Sequence, residues 1–380
     1  MAIIVIAPDK TVIVILKGIR YMKEFLKRKN IVFSARRYGI DALGAMAQGL
    51  FCSLLIGTIV KTLGQQLGGP FLVEVGNYCS AMSGPAMAGA IGYALQAPPL
   101  VLFSLATVGY AANTLGSTTM SGSPGAGGPL AVLVIAIVAA EFGKAVSKET
   151  KVDILVTPLA TILSGVGLAA LIAPAIGTAA SSVGEFVEWA TIQQPFLMGI
   201  LISVVIGICL TLPISSAAIC AATGLTGLAG GAAVAGCCAQ MVGFAVLSFR
   251  ENRWGGLVSQ GLGTSMLQMG NIVKNPKIWI PPTLAAAITG PLATCLFRFQ
   301  MNDPSGGVAS GMGTCGMVGP IGVYAGWVND VAIGAKGAIT ALDWTAMALL
   351  CFLLPALLSY LFGIGCRKLG WIKEGDLKLN

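Results

Sequence analysis

The chain consists mainly of apolar runs of about twenty residues, separated by short polar patches. A helix needs a run of this length to cross the hydrocarbon core of a bilayer. Only 10% of the 380 residues are charged, which is too few to cover a soluble domain of this size. Ten-residue blocks of alternating apolar and polar residues, which are typical of membrane β-barrels, are absent. The pattern therefore predicts an all-α polytopic membrane protein.

The apolar runs predict about ten transmembrane helices and two re-entrant hairpins. The predicted spans are 39–60, 71–95, 98–115, 129–143, 154–179, 195–213, two within 215–249 that separate at Gly230 and Gly231, 278–299 and 344–366. Residues 255–277 and 302–326, the first and second hairpin segments, are too polar or glycine-rich to span. We expect protein or water to cover their backbone. Spaced apolar residues also predict a short interfacial helix at 181–194.

The basic residues are concentrated at the start of the chain, where nine of the 23 precede Tyr38. This pattern predicts a basic cytoplasmic or amphipathic segment (1–38), a membrane domain (39–366) and a cytoplasmic tail (367–380). A topology signal explains the cluster best; contact with nucleic acid or anionic lipid is the alternative. We expect both termini to be cytoplasmic, in a bacterial inner membrane, with lipid but no nucleic acid as a partner.

Several chemistries are excluded by residues that the chain lacks. Histidine is absent, and the ten cysteines include no CxxC pair. No metal site and no cofactor is therefore predicted, and no Ser-His or Cys-His catalytic pair can form. A nucleotide-binding GxxxxGK[ST] loop is also missing. No catalytic residue is predicted.

Four polar features within or beside the apolar runs are candidates for solute binding. They are Glu74 with Asn77, three residues apart; the sequence LPISSAA at 212–218; the polar stretch 263–276; and the glycine-rich stretch 302–319 with Asp303. The alternatives are a hydrated helix end for the first and plain loops for the others. Neutral amides and hydroxyls suit a polyhydroxy ligand better than an ion. The predicted substrate-binding residues are Glu74, Asn77, Ser215, Ser216, Thr264, Gln268 and Asn271.

Short strings resemble a known family in their order and spacing along the chain. They are VTPL at 156–159, LPISSAA at 212–218, GTSMLQMGNIVKNPKIWIPP at 263–282 and AITG at 287–290. Together they resemble the membrane-embedded IIC subunits of the phosphoenolpyruvate-dependent sugar phosphotransferase system, and within that family a regulator-like branch typified by a perfringolysin regulator. The resemblance implies a homodimer with a sugar site in each protomer, and possible separate IIA and IIB partners.

The chain departs from that family at the positions that contact sugar. The family's hairpin glutamate falls near Met266, and its Asn-Lys pair reads Ser215 and Ser216. Two functions are therefore predicted: a permease for a sugar or other polar solute, and a membrane sensor or regulator that binds solute without phosphorylating it and signals through residues 10–37. An ion channel is a weaker third hypothesis, because no filter motif is evident.

Overall fold

The structure, a computed structural model, describes residues 21–115, 128–302 and 307–379. These residues are mostly helical and contain no β-strand, only an isolated bridge between Gly227 and Met301. The predicted all-α polytopic membrane fold is confirmed. Basic residues Lys10, Lys17 and Arg20 and the candidate Asp303 lie outside the described residues.

The described helices are α1 (Arg37–Gln65), α2 (Pro70–Ala81), α3 (Ser83–Ala94), α4 (Pro99–Thr114), α5 (Gly128–Val146), α6 (Asp153–Thr191), α7 (Pro195–Thr211), α8 (Ser216–Ala222), α9 (Gly227–Leu247), α10 (Phe249–Val258), α11 (Met269–Lys274), α12 (Pro276–Leu296), α13 (Val318–Ala332) and α14 (Ala341–Lys368). Six of them are long and apolar enough to cross a membrane: α1, α5, α6, α9, α12 and α14. The α7 helix is apolar but shorter. The number of ten spans stays a prediction.

Helix α6 combines two elements that the sequence suggested were separate. It is continuous over 39 residues, and the predicted interfacial helix at 181–194 is its C-terminal part. Val187 and Ala190 are buried while Glu185 and Glu188 are exposed, so the predicted amphipathic face is present. The helix continues through the polar stretch, where the Ser182 hydroxyl donates to the Thr178 carbonyl at 3.4 Å.

The predicted break at Gly230 and Gly231 is wrong, because α9 runs through both glycines. The chain turns earlier, at Gly224 and Gly227, which have φ of +57° and +61°. A Cβ atom on Gly231 would lie 1.9 Å from the carbonyl oxygen of Phe299, so this glycine allows a close backbone approach. The seven residues of α8 extend roughly 10 Å, too short for a bilayer. Residues 215–249 therefore contain one long helix instead of two spans.

Helix α9 forms the centre of the second half of the chain. It packs against α7, α12 and α14, and most of its residues are buried. A separate apolar cluster, the core of the first half, contains residues of α1, α3, α4, α5 and α6, with Met87, Ile91 and Ile135 in its interior. This cluster also contains Phe244 from the end of α9 and Met269 from the first hairpin segment. The first hairpin segment and the end of α9 therefore complete the core of the first half.

The first hairpin segment has an irregular backbone held by two side-chain caps. After α10, the chain makes a wide turn and Thr264 is extended, with φ of −158° and ψ of 143°. The Thr264 hydroxyl accepts a hydrogen bond from the Met266 amide at 3.1 Å, and the Asn275 side chain accepts one from the Lys277 amide at 3.2 Å. These caps start the two short helical turns on either side of α11. That the segment re-enters the membrane stays a prediction.

Candidate solute-binding site

The first hairpin segment is held in place by three other elements. The Ser265 and Thr211 hydroxyls lie 2.8 Å apart and join it to the end of α7. Thr314, in the second hairpin segment, donates to the Gly261 carbonyl at 2.5 Å. Helix α11 also packs against the first turns of α1. The two hairpin segments and the start of α1 therefore meet at one place.

Two of the predicted site residues, Gln268 and Asn271, form a buried row of side-chain amides. Asn271 Nδ2 donates to Gln268 Oε1 at 2.8 Å, and Gln268 Nε2 donates to Gln260 Oε1 at 2.9 Å. Gln260 Nε2 in turn donates to the Ser248 hydroxyl at 2.7 Å. A connected row of this kind fixes the orientation of each amide. Gln268 and Asn271 therefore lie on one face of the segment, as a spacing of three residues in a helical turn predicts.

A cavity of about 330 Å³ lies between α1 and this amide row. Its polar and aromatic lining includes Gln48, Phe51, Ser259 and Asn271, and residues Lys378 and Leu379 of the tail form part of its wall. The Gln48 side chain is exposed and forms no hydrogen bond within the described residues. The volume suits a small solute. Gln48, Ser259 and Asn271 are uncharged groups that both donate and accept hydrogen bonds, which is the chemistry that hydroxyl groups require.

The structure does not bring Glu74 and Asn77 to this cavity. Both side chains are exposed on α2, and neither lines the cavity. Glu74 accepts a hydrogen bond from the Tyr78 hydroxyl, 2.5 Å away on the next turn. That these residues contact solute stays a prediction, but they would belong to a different surface.

The hydroxyl candidates Ser216 and Thr264 have partners within the fold. The buried Ser216 hydroxyl donates to the Gly311 carbonyl at 2.7 Å, which ties the start of α8 to the second hairpin segment. Thr264 caps the turn at Met266. Ser215 is half-buried, and none of the three hydroxyls lines the cavity. Their involvement in solute binding stays a prediction, although Ser216 and Thr264 already stabilise the fold.

Sequence reasoning did not select Gln48, Ser259 or Gln260 for the site. A signal for Gln48 was available, since it is the only side-chain amide within residues 39–60. Gln260 and Ser259 lie in the first hairpin segment but precede the stretch that carries the family resemblance. No group of three or more Cys, Asp or Glu residues within the described chain could hold a metal ion.

A charged network, separate from the amide row, holds the described part of the basic segment against the membrane domain. Arg28 lies 2.8 Å from the Glu149 carboxylate, and Lys29 also pairs with Glu149. The hydrogen bond from Lys29 lowers the pKa of the Glu149 carboxyl below its ordinary value of 4.5. Lys144, which is almost completely buried, donates to the Asn30 carbonyl at 2.8 Å. The basic segment is therefore fixed to α5 and to the loop that follows it.

Comparison with known proteins assigns the family. No curated protein and no solved structure matches the chain significantly. A family model described as "Phosphotransferase system, EIIC" matches residues 40–379, which include most of α1, both hairpin segments and the described part of the tail. The predicted resemblance is confirmed. This chain belongs to the phosphotransferase-system EIIC family.

Proposed function

We propose that this protein is a permease that binds a sugar or a related polyhydroxy solute in the cavity between α1 and α11. Family membership supports a membrane protein of sugar transport. The observation that carries the finer assignment is the cavity itself, about 330 Å³ in volume and lined by Gln48, Ser259 and Asn271. The aromatic ring of Phe51 offers a flat apolar surface to the C–H face of a sugar ring.

Solute movement would require the site to open alternately to the two sides of the membrane. Both hairpin segments pack against α9 and are joined by the bond from Thr314 to Gly261. They would therefore move together when the site opens. In a coupled cycle, a separate IIB protein, which the family implies, would phosphorylate the solute.

We place the protein, as a homodimer, in a bacterial inner membrane with both termini in the cytoplasm. Contacts between basic segments support this orientation. The N-terminal segment contacts the loop at Glu149, the start of α1 contacts α11, and α11 contacts the tail. Basic residues that are far apart in the sequence therefore share one face, as the positive-inside rule requires of a cytoplasmic face. The homodimer follows from the family alone.

The solute site is tested most directly with Gln48→Ala. Gln48 has no partner among the described residues, so its removal breaks no internal hydrogen bond and the fold should persist. Losing one hydrogen bond of about 0.5–1.5 kcal/mol should weaken solute binding roughly two- to twelvefold. A thermal-shift screen of sugars, polyols and sugar phosphates identifies the solute, and uptake into proteoliposomes measures its transport.

Gln65→Ala is the matched control, because Gln65 is exposed on the same helix but does not line the cavity. It should bind and transport like the wild type. The proposed site is wrong if Gln48→Ala and Gln65→Ala bind the solute equally well. The permease function is wrong if no solute on the panel is bound or carried by the wild-type protein.

One observation favours the alternative function, a membrane sensor. Helix α11, which carries Asn271, packs against residues Arg37–Ala42, and these directly follow the basic segment. A change in the amide row would thus be transmitted to the N-terminal segment without any flux. A sensor should bind solute without transporting it, and deletion of residues 1–37 should abolish signalling while leaving binding intact. Transport of the bound solute would contradict this alternative.

A further inference from the structure

The tail turns back onto the protein immediately after α14. The Trp371 amide donates to the Cys366 carbonyl at 2.9 Å, and the Gly370 amide donates to the Arg367 carbonyl at 3.0 Å. Together with the positive φ of Gly370, +70°, these bonds form a Schellman motif, which reverses chain direction at a helix end. Residues 371–379 are therefore directed towards the first hairpin segment.

Two apolar side chains anchor the tail in the core of the first half. Ile372 and Leu377 are 2% and 0% exposed, and they belong to the same apolar cluster as Met266, Met269 and Ile272 of the first hairpin segment. The side chains between these two anchors are mostly exposed. The tail is thus held at two points instead of being packed along its whole length.

Four side-chain amides bind the polar groups of the tail. Asn252 donates to the Leu377 carbonyl at 2.8 Å and accepts from the Leu379 amide at 2.8 Å. Gln268 also donates to the Leu377 carbonyl, at 2.9 Å, and Asn271 donates to the Lys378 carbonyl at 2.9 Å. Asn275 donates to the Trp371 carbonyl at 2.9 Å and to Asp376 Oδ2 at 2.8 Å. The tail oxygens occupy the donor positions that sugar hydroxyl oxygens would need.

The tail also separates two cavities. The cavity of about 330 Å³ and a second of about 510 Å³ both reach Asn271, and Lys378 and Leu379 line both of them. The second cavity also contains Lys274, Asn275 and Asp376 in its wall. Displacement of residues 375–379 would merge the two cavities into one cleft along the amide row.

We propose that the side-chain amides of Asn252, Gln268, Asn271 and Asn275 together form one ligand-binding site. The tail occupies these four amides in the structure described, and it must leave before a solute can bind all of them. This inference rests on the proposed function, because it concerns regulation of the same site. Gly370 and Gly375, with φ of +70° and +90°, supply the points about which the tail would swing. A ligand would then bind with an apparent affinity reduced by the fraction of closed protein.

Trypsin cleavage after Lys373 and Lys378 in the full-length protein reports tail release without any knowledge of the solute. Both side chains are exposed, but the backbone around them is held by the anchors. Leu377→Ala removes the fully buried anchor and should raise the cleavage rate about thirtyfold or more, the factor expected for truncating a buried leucine. Asp376→Ala removes two hydrogen bonds, one from the Asn275 side chain and one from the Lys373 backbone amide, and should raise the rate by about fivefold or more.

Two controls distinguish release of the tail from general unfolding. Glu374→Ala should leave the rate of cleavage after Lys378 unchanged, because no hydrogen bond or ion pair of the Glu374 side chain occurs within the described chain. Cleavage after Lys151, in the exposed loop before α6, should not change in any tail variant, and a change there would reveal general unfolding. Equal rates for Leu377→Ala, Asp376→Ala and wild type would overturn the closure by the tail.

The second arm measures binding of glucose, galactose, mannitol and glucose 6-phosphate to the full-length wild type and to full-length Leu377→Ala. The substitution should tighten binding of any solute that the wild type binds, and that solute should accelerate cleavage of the wild type after Lys373. An unchanged dissociation constant would overturn the inference. If no probe binds either protein, the proposed function fails, and the trypsin rates alone decide whether the tail opens.

Discussion

Lys144 is the most completely buried charge in the described chain, with 1% of its side chain exposed. Its ammonium lies 2.7 Å from Glu141 Oε2, 2.8 Å from the Asn30 carbonyl and 3.1 Å from the Leu95 carbonyl. Lys144→Met keeps the volume of the side chain but removes all three interactions. Because it leaves the Glu141 carboxylate without its counter-charge, we expect it to lower the free energy of unfolding by about 3–5 kcal/mol.

A double-mutant cycle with Glu141→Gln separates the ion pair from the carbonyl contacts. Glu141→Gln retains a partner for the Tyr38 hydroxyl, which lies 3.1 Å from Glu141 Oε1, so it should cost less than Lys144→Met. The double variant should be more stable than the sum of the two losses predicts, by about 1–3 kcal/mol. Denaturation by SDS in mixed micelles measures these free energies. A loss below about 1 kcal/mol for Lys144→Met, or strictly additive losses, would refute the reasoning.

Two further predictions concern packing and pH. Gly231→Ala should destabilise the protein by more than the ordinary 1–3 kcal/mol of an overpacked site, because its Cβ would lie 1.9 Å from the rigid Phe299 carbonyl oxygen. Gly365→Ala in α14 is the control: nothing lies within 4 Å of the new Cβ, so the change should be neutral or stabilising by up to about 1 kcal/mol. Equal effects of the two substitutions on the free energy of unfolding would contradict the close-approach explanation. The lowered pKa of Glu149 means that its contribution to the docking of residues 21–38 is fully present above its ordinary pKa and is lost as the pH falls through the lowered value. The hydrogen-exchange protection factor of this segment, which is corrected for the intrinsic pH dependence of exchange, should therefore fall below about pH 4.5 in the wild type and be lower at neutral pH in Glu149→Gln. A protection factor that does not change with pH in the wild type would contradict it.

Much of the fold follows from local sequence signals. The apolar run at 129–143 became α5, and the interruption at 255–277 became the irregular first hairpin segment. The i, i+3 spacing of Gln268 and Asn271 correctly placed two amides together. Such features depend on residues close together in the chain, where helix geometry alone fixes the relation.

Other features depend on contacts between distant residues and could not be derived in this way. Gly231 resembles a helix breaker in sequence, but the Phe299 backbone packed against it makes glycine necessary. The tail is short and charged, so it suggested a free cytoplasmic end. Its docking depends on Leu377 finding a site in the core of the first half, more than a hundred residues from the amides that bind its backbone. Neither periodicity nor composition records such a pairing.

The unbroken course of α6 has a mechanical consequence. Ala169 and Ala173 pack in the core of the first half, whereas Val187 and Ala190 pack against α7 to α9. One stiff rod therefore bridges two bodies, and its Pro174 lies between the two points of attachment. The arm from Pro174 to the end of the helix is roughly 26 Å long. A bend of only about 10° at this proline, a usual place for helices to flex, would carry the far end sideways by roughly 4–5 Å, so a small angular change suffices to displace one body along the other.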